Sequence, residues 1–337
     1  MIIRSIAPLR ISFAGGGTDI LEYYREHGGA VINSTINWYA HTNLTPAKAG
    51  VRVISLDYGS DEEIKHFDYT GKNDLIKATL NKMIGAKKEQ LGAEFFMHTD
   101  TPPGSGLGAS SAVVVSLVGA INKWTNKTMN NYEIAELAYD IERNELRIRG
   151  GYQDQYAATF GGFNHIEFLK DGKVIVNPLR VSDDTVHELE AHLLLCYTGT
   201  TRQSSGIIEN QIKGVKEGSN LDMLHKQKEM AFDMKNVLLR GNLDRFGEML
   251  DEAWQTKKKL TSNITNQQID KLYDAARKSG AIGGKILGAG GGGYLLLYCN
   301  YKKKHLVEKT MNSLGAMSKP FSFSKEGLTV WESKNEY

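Results

Sequence analysis

Cysteine is scarce in this sequence: Cys196 and Cys299 are the only two in 337 residues, and each sits inside an apolar, strand-like run. That rules out a disulfide framework, and two buried free thiols in a reducing compartment are expected. Metal-ligand spacing is missing too. The nine histidines are scattered, and His187 and His192 lack any partnering motif. No apolar stretch reaches the roughly 18 residues a membrane helix requires, and the apolar part of residues 1–8 is too short for a signal peptide. A cytoplasmic protein with no membrane partner is expected. Neither sign of charge prevails, since the formal net charge is +2, so nothing argues for nucleic acid as a partner. The short runs Lys257-Lys258-Lys259 and Lys302-Lys303-Lys304 read as solvated faces.

What the chain does have is glycine in clusters. The central stretch is Pro102-Pro103-Gly104-Ser105-Gly106-Leu107-Gly108-Ala109-Ser110-Ser111-Ala112, followed by the apolar run 113–121. Glycines at alternate positions let the backbone turn tightly and lie close to a ligand. The valines favour strand, but the run outlasts an ordinary strand, so a loop opening into a buried helix is predicted. Such a helix start presents free N–H groups and a positive dipole end to a phosphate. A purely structural turn would give the same glycines. A dinucleotide site would fit Gly104, Gly106 and Ala109, but it needs an acidic residue about 20 positions on. No Asp or Glu occurs between Thr101 and Tyr132. A P-loop is excluded, since no Gly-Lys-Ser or Gly-Lys-Thr follows.

Elsewhere the pattern alternates. Strands are predicted over 2–13 with a break at Pro8, then over 30–44, 51–56 and 94–99, with helices over 20–27 and 75–84. A helical stripe of Ile134, Leu137, Ala138 and Ile141, capped by Asn130 or Asn131, carries Glu142. Asp154 follows in a turn-like Gly151-Tyr152-Gln153-Asp154-Gln155, and Asp171-Gly172 marks a hairpin. Beyond a strand at 193–197, helices are predicted over 221–239, 243–260 and 269–278. The string Lys285-Ile286-Leu287-Gly288-Ala289-Gly290-Gly291-Gly292-Gly293 then enters another strand. Carboxylates and a serine hydroxyl are hard oxygen donors suited to Mg²⁺. Read alone, Glu142 and Glu145 compete for that role, and Asp154 and Asp19 could equally be turn and cap residues.

The pattern P-x-x-x-G-L-G-x-S-S-A, met by Pro102, Gly106, Leu107, Gly108 and Ser110, resembles the phosphate loop of the GHMP kinases. That superfamily takes its name from galactokinase, homoserine kinase, mevalonate kinase and phosphomevalonate kinase. Ala109 departs from it, because many members carry a serine there. Gly-x-x-Asp-Gln at 151–155, with a glutamate twelve residues before the Asp, resembles the galactokinase branch. The segment Arg10-Ile11-Ser12-Phe13-Ala14-Gly15-Gly16-Gly17-Thr18-Asp19 resembles the first family motif, and the late glycine string resembles the third. Gly16 and Gly17 stand where galactokinases carry Glu-His, which argues against galactose. Taken together, the motifs look most like kinases of the anomeric hydroxyl, the heptose 7-phosphate kinases with the L-fucokinases beside them.

The resemblance implies an α+β fold in two domains, residues 1–180 with the sugar site and phosphate loop and residues 181–337 with the late glycine motif. ATP and Mg²⁺ are the implied cosubstrate and cofactor, and a small sugar phosphate the implied partner. It implies nucleotide contacts from Pro103, Gly104, Ser105, Gly106, Leu107, Gly108, Ala109, Ser110, Ser111, Gly290 and Gly291, and Mg²⁺ contacts from Ser110 and Glu142. Asp154 would face the acceptor hydroxyl, with Arg10 lowering its pKa and facing the transferred phosphoryl group. Thr18, Asp19 and Arg202 would meet the sugar, and a base pocket would lie within 51–84. A distal phosphate would meet Arg202, or Arg147 and Arg149. Two readings of other classes remain: a nicotinamide-dependent oxidoreductase, and a non-catalytic sugar and ATP sensor. The sensor reading predicts loss of Ser110, Glu142 or Asp154, and all three are present.

Overall fold

A computed structural model describes residues 1–200 and 205–334. Its spine is an antiparallel pair, β1 (Ile2–Ala14) and β2 (Gly29–Pro46), joined through α1 (Leu21–His27). The sequence predicts a break at Pro8, but β1 runs through it. The reason is local: the pairing Pro8↔Tyr39 gives way to Arg10↔Thr35, a register shift at which the N–H that proline lacks is not needed. A second shift falls between Ser12 and Ala14. Irregularities on both sides of Arg10 re-aim the strand at the point where it passes the glycine loop.

Next come β3 (Gly50–Ser55), β4 (Ser60–Ile64) and, after α2 (Asp74–Ile84), β5 (Gly92–Thr99). β5 pairs with β2 antiparallel and with β3 parallel, so the sheet is mixed. β5 leads into the glycine loop and then α3 (Ala109–Trp124), whose Val114, Val115, Leu117, Val118, Ala120 and Ile121 are fully buried. Burial on all sides overrides the strand propensity of the valines. α4 (Asn131–Tyr139) starts at a capping box, with Asn130 and Glu133 each accepting the other's backbone N–H. α5 (Gln153–Phe160) precedes β6 (Phe163–Phe168) and β7 (Val174–Pro178), which pair across the Gly172 turn and extend the sheet from the first half of β2.

α6 (Asp183–His192), which the sequence pattern does not reveal, leads to β8 (Leu193–Tyr197). The helices α7 (Ser205–Glu217), α8 (Leu221–Leu239), α9 (Leu243–Lys257) and α10 (Gln267–Ser279) follow. Then β9 (Ala281–Ile286), β10 (Tyr294–Cys299), α11 (Lys304–Ser313) and β11 (Met317–Lys319) complete a second, antiparallel sheet of order β11-β8-β10-β9. Cys196 and Cys299 are buried free thiols in this layer, both pushed up to about 12 by burial. The arrangement is α+β, as expected. The division expected at 180/181 is crossed by the end of the chain, because β12 (Thr329–Ser333) returns to the first sheet and pairs with β1. The free edge of β1 offers a row of ladder donors and acceptors, and β12 takes them up. No helix among the described residues is long and apolar enough to cross a membrane.

Candidate active site

The glycine loop forms the floor of a cleft between the two sheets. Gly108, at φ +76°, occupies the cap position before α3 and no side chain caps the helix, so its first N–H groups are left for a ligand. Arg10 fixes the loop from behind: its backbone N–H donates to the Leu107 carbonyl at 3.0 Å and its Nη1 to the Gly106 carbonyl at 2.7 Å. Gly106 cannot be replaced without movement. Its φ is +82°, and a Cβ there would stand 2.6 Å from the Leu287 carbonyl oxygen.

Arg10 also reaches α5. Its Nε and Nη2 both lie 2.7 Å from Asp154 Oδ1, while Oδ2 takes no hydrogen bond from a described residue. The sequence reads Asp154 as part of a turn; it lies in the first helical turn of α5, aimed at the loop. Asp19 lines the same cleft, accepting from Gly17 N (3.1 Å), Gln153 N (3.1 Å) and Gln153 Nε2 (3.2 Å). Burial, and then the charge of Asp154, raise its pKa, and the backbone N–H bonds oppose the rise. Gly151 is needed beside it, since a Cβ there would stand 2.0 Å from Asp19 Oδ2.

Thr18 requires a correction. Its hydroxyl donates to the carbonyls of Gly15 and Ala30 at 2.8 and 2.9 Å and accepts from Ala30 N, and the residue is fully buried. It clamps the glycine turn and does not face the cleft.

Glu142 is only 1% exposed, yet its carboxylate is aimed at the loop. Oε1 accepts from Ser110 Oγ at 2.8 Å and Oε2 from Gln155 Nε2 at 2.5 Å, and Gln155 Nε2 also donates to Ser111 Oγ. A π-helical turn over Asp140–Glu145 gives Glu142 this aim, where the sequence predicts a continuing α-helix. The rival Glu145 points elsewhere, accepting from Tyr69 Oη and pairing with Lys82. Its pKa is lowered by those two bonds. Two hard oxygens with a fixed carboxylate at the mouth of an anion-binding helix are a donor set that fits Mg²⁺.

The late glycine string lies against the first loop. Tyr294 N donates to the Ser105 carbonyl at 3.1 Å, and Gly290 lines the cleft. Gly291 does not line it; its N–H is spent on the Ile264 carbonyl. Behind the string sit two buried lysines. Lys257 Nζ donates to the Gly288 and Ile286 carbonyls, and Lys285 Nζ to those of Ser12 (2.9 Å) and Phe13 (2.8 Å). Burial and the charge of Arg10 bring Lys257 down to about 7, with Asp19 pulling the other way. Burial, then Lys257 and Arg10, hold Lys285 well below its ordinary range. A solvated face is thus the wrong reading for Lys257, because α9 turns that position inward.

Beside the cleft opens a larger cavity of about 920 Å³. Residues drawn from 55–62 and 69–76 line it with Pro103, and Gly104, Ala109 and Ser110 form the wall shared with the cleft.

Two family profiles match the chain: GHMP kinases N terminal domain over residues 74–162 and GHMP kinases C terminal over residues 234–316. The D-glycero-alpha-D-manno-heptose 7-phosphate kinase of Campylobacter jejuni is 38% identical over 334 residues, which is 98% of each chain. The chain belongs to the GHMP kinase family. A crystal structure of a D-glycero-D-manno-heptose 1-phosphate kinase from Bacteroides thetaiotaomicron aligns with a TM-score of 0.84 and 32% identity, covering 99% of this chain and 100% of that one. The L-fucokinase/L-fucose-1-P guanylyltransferase of Bacteroides fragilis is 30% identical over 88% of this chain, which spans only 34% of that protein.

In this GHMP kinase, most residues singled out from the sequence converge. Arg10, Asp19, Gly104, Ser105, Gly106, Gly108, Ala109, Ser110, Ser111, Glu142, Asp154 and Gly290 all line the cleft. Pro103 lines only the larger cavity, and Leu107 is buried and contributes its carbonyl. Arg149 lines the cleft, whereas Arg147 lines the larger cavity. Arg202 lies outside the described residues. Sequence reasoning assigns no site role to Lys257, Lys285, Gln155 or Arg143, whose Nη1 lies 3.6 Å from Glu142 Oε1. Only the odd placement of a lysine on the apolar stripe of α9 could have pointed to Lys257.

The buried lysines set a pH dependence of stability. The folded chain releases the Lys257 proton near pH 7, whereas the unfolded chain keeps it until about pH 10.5. Between those values the unfolded state holds more protons, so ligand-free stability rises with pH, by at most about 1.4 kcal/mol per pH unit for each such lysine. Denaturant titrations from pH 7 to 10 should show this rise, and Lys257→Met should lessen it, leaving the part due to Lys285. An equal slope in the variant would mean that Lys257 keeps its ordinary pKa.

Proposed function

We propose that this kinase transfers the γ-phosphoryl group of ATP, with Mg²⁺, to the anomeric hydroxyl of D-glycero-D-manno-heptose 7-phosphate. The product is the 1,7-bisphosphate from which nucleotide-activated heptose is made. The observation that carries the reading is Arg10, which joins the phosphate loop at Gly106 and Leu107 to Asp154. The full-length likeness to a relative named for heptose 7-phosphate supports the choice of sugar.

The nucleotide's base and ribose fit the larger cavity, and its phosphates meet the free N–H groups at the start of α3. Ser110 and Glu142 would hold Mg²⁺, which neutralises charge on the phosphates when bound. Gln155 acts as a positioning residue, because it fixes both Glu142 and Ser111. Asp154 uses Oδ1 for Arg10, so Oδ2 is available to orient the acceptor hydroxyl and receive its hydrogen bond. Arg10 faces the charge that spreads over the transferred group.

Asp154→Asn should abolish turnover and leave ATP affinity nearly unchanged. A positioned group acting on the acceptor proton contributes on the order of 10²–10⁴-fold. Retention of more than about a tenth of wild-type turnover would refute the role. The metal assignment makes a separate demand: Ser110→Ala and Glu142→Gln should raise the Mg²⁺ concentration needed for half-maximal rate, while Glu145→Gln should not. Sensitivity at Glu145 instead would show that the wrong carboxylate has been chosen.

The acceptor's own phosphate needs cationic groups away from those of ATP. Arg149, in the cleft, suits it better than Arg147, which lies on the nucleotide side. Heptose 7-phosphate should therefore exceed unphosphorylated heptose in kcat/KM by more than about tenfold, or ~1.4 kcal/mol, and Arg149→Ala should shrink the ratio. A smaller ratio in the wild type, together with turnover of L-fucose, would favour the fucokinase reading that the Bacteroides fragilis relative supports.

A further inference from the structure

On the opposite face of the first sheet stands a cluster that the kinase chemistry does not use. Ala40 and Leu44 of β2 are buried, and Thr42 Oγ1 bonds Ser116 Oγ of α3, so the even-numbered positions face the core. Side chains alternate along a strand, which puts Tyr39, His41 and Asn43 on the outer face. His41 is paired directly with His98 of β5, and Asp100 follows two residues later, just past the end of that strand. The two imidazole rings lie parallel, 4.2 Å apart with 3° between their planes, and His41 Nε2 is 3.5 Å from Asp100 Oδ1.

We propose that His41, His98 and Asp100 form a binding site for one divalent transition-metal ion of the zinc class, separate from the site formed by Ser110 and Glu142. One ligand atom from each of the three residues fits within 4.8 Å of the others. Zinc takes imidazole nitrogen and carboxylate oxygen at about 2.0–2.2 Å, so modest side-chain rotation closes the set and leaves one position for water. Two nitrogens and one carboxylate suit this class of metal and not Mg²⁺, which prefers oxygen throughout.

The site is also preorganised. Asp100 is tied to β2 twice, its N–H donating to the Tyr39 carbonyl at 3.0 Å and its Oδ2 accepting from Tyr39 N at 2.8 Å. His98 Nδ1 is buried and has no hydrogen-bond partner among the described residues, a cost that a ligand would remove. Asp100 opens the segment Asp100-Thr101-Pro102-Pro103-Gly104, so a bound ion would anchor the root of the phosphate loop from outside the cleft.

The test is calorimetric titration of the full-length, chelator-treated protein with Zn²⁺ in excess Mg²⁺, followed by Co²⁺ absorption spectra. One equivalent should bind, Co²⁺ should give the visible bands of a low-coordinate nitrogen and oxygen site, and His41→Ala, His98→Ala and the milder Asp100→Asn should each weaken binding at least tenfold. All three should retain Mg²⁺-ATP turnover near the wild-type level in metal-depleted buffer, which confirms folding. Absence of a stoichiometric Zn²⁺ event, or one unchanged in the double variant His41→Ala/His98→Ala, would overturn the proposal.

Discussion

The cleft is built outward from one buried guanidinium. Arg10 sits on an interior strand with its side chain only 5% exposed, and a charge so placed is tolerable only where partners surround it. Asp154 supplies the opposite charge and the Gly106 carbonyl an acceptor, while the backbone of Arg10 holds the Leu107 carbonyl. The planar fork of the side chain fixes both directions at once. The position of the loop relative to α5 therefore follows from the geometry of one residue. The register shifts on either side of Arg10 turn it toward the loop.

The second sheet joins this centre through backbone atoms more than through side-chain pairs. Tyr294 N reaches the Ser105 carbonyl and Lys285 Nζ the carbonyls of Ser12 and Phe13, so the two glycine strings lie back to back. Glycine is what permits that approach. The buried lysines end on carbonyl oxygens and not on carboxylates, which leaves their charge uncompensated, and both are driven toward the neutral form.

The parts of this site that could be read in the sequence are those where the residue type itself limits the backbone or the chemistry. Glu142, Asp154 and Arg10 stood out only through the resemblance to the family motifs, whereas the loop and the late glycine string were legible because glycine spacing carries its meaning locally. The strand and helix limits in β2, β5, α2 and α8 followed from periodicity for the same reason. What escaped depends on tertiary placement. Lys257 looks like part of a solvated run until α9 turns it inward. Thr18, which the resemblance places at the sugar, is buried with its hydroxyl bridging the Gly15 and Ala30 carbonyls. The π-helical turn that aims Glu142 leaves no mark on the periodicity, and the return of β12 to β1 depends on an edge that only the folded sheet creates. The pairing of His41 with His98 is equally silent, since residues far apart in the chain meet only through β2–β5 register.

Hydrogen-bonding capacity indicates where acceptor selectivity resides. Asp19, which the resemblance places against the sugar, lines the cleft and also accepts from Gln153 N, Gln153 Nε2 and Gly17 N. Those bonds hold the first glycine turn against the loop that starts α5, and Thr18 braces the same turn from the other side. Groups with capacity to spare lie around it. Ser12 Oγ and the Gln153 side-chain oxygen are buried with no partner among the described residues, and both residues line the cleft. An unpaired buried polar atom costs about 1–3 kcal/mol. A ligand rich in hydroxyls relieves that cost at both atoms, and an apolar acceptor of the same size relieves it at neither. The cleft thus favours a polyhydroxylated acceptor through what it leaves unpaired as much as through its charged residues.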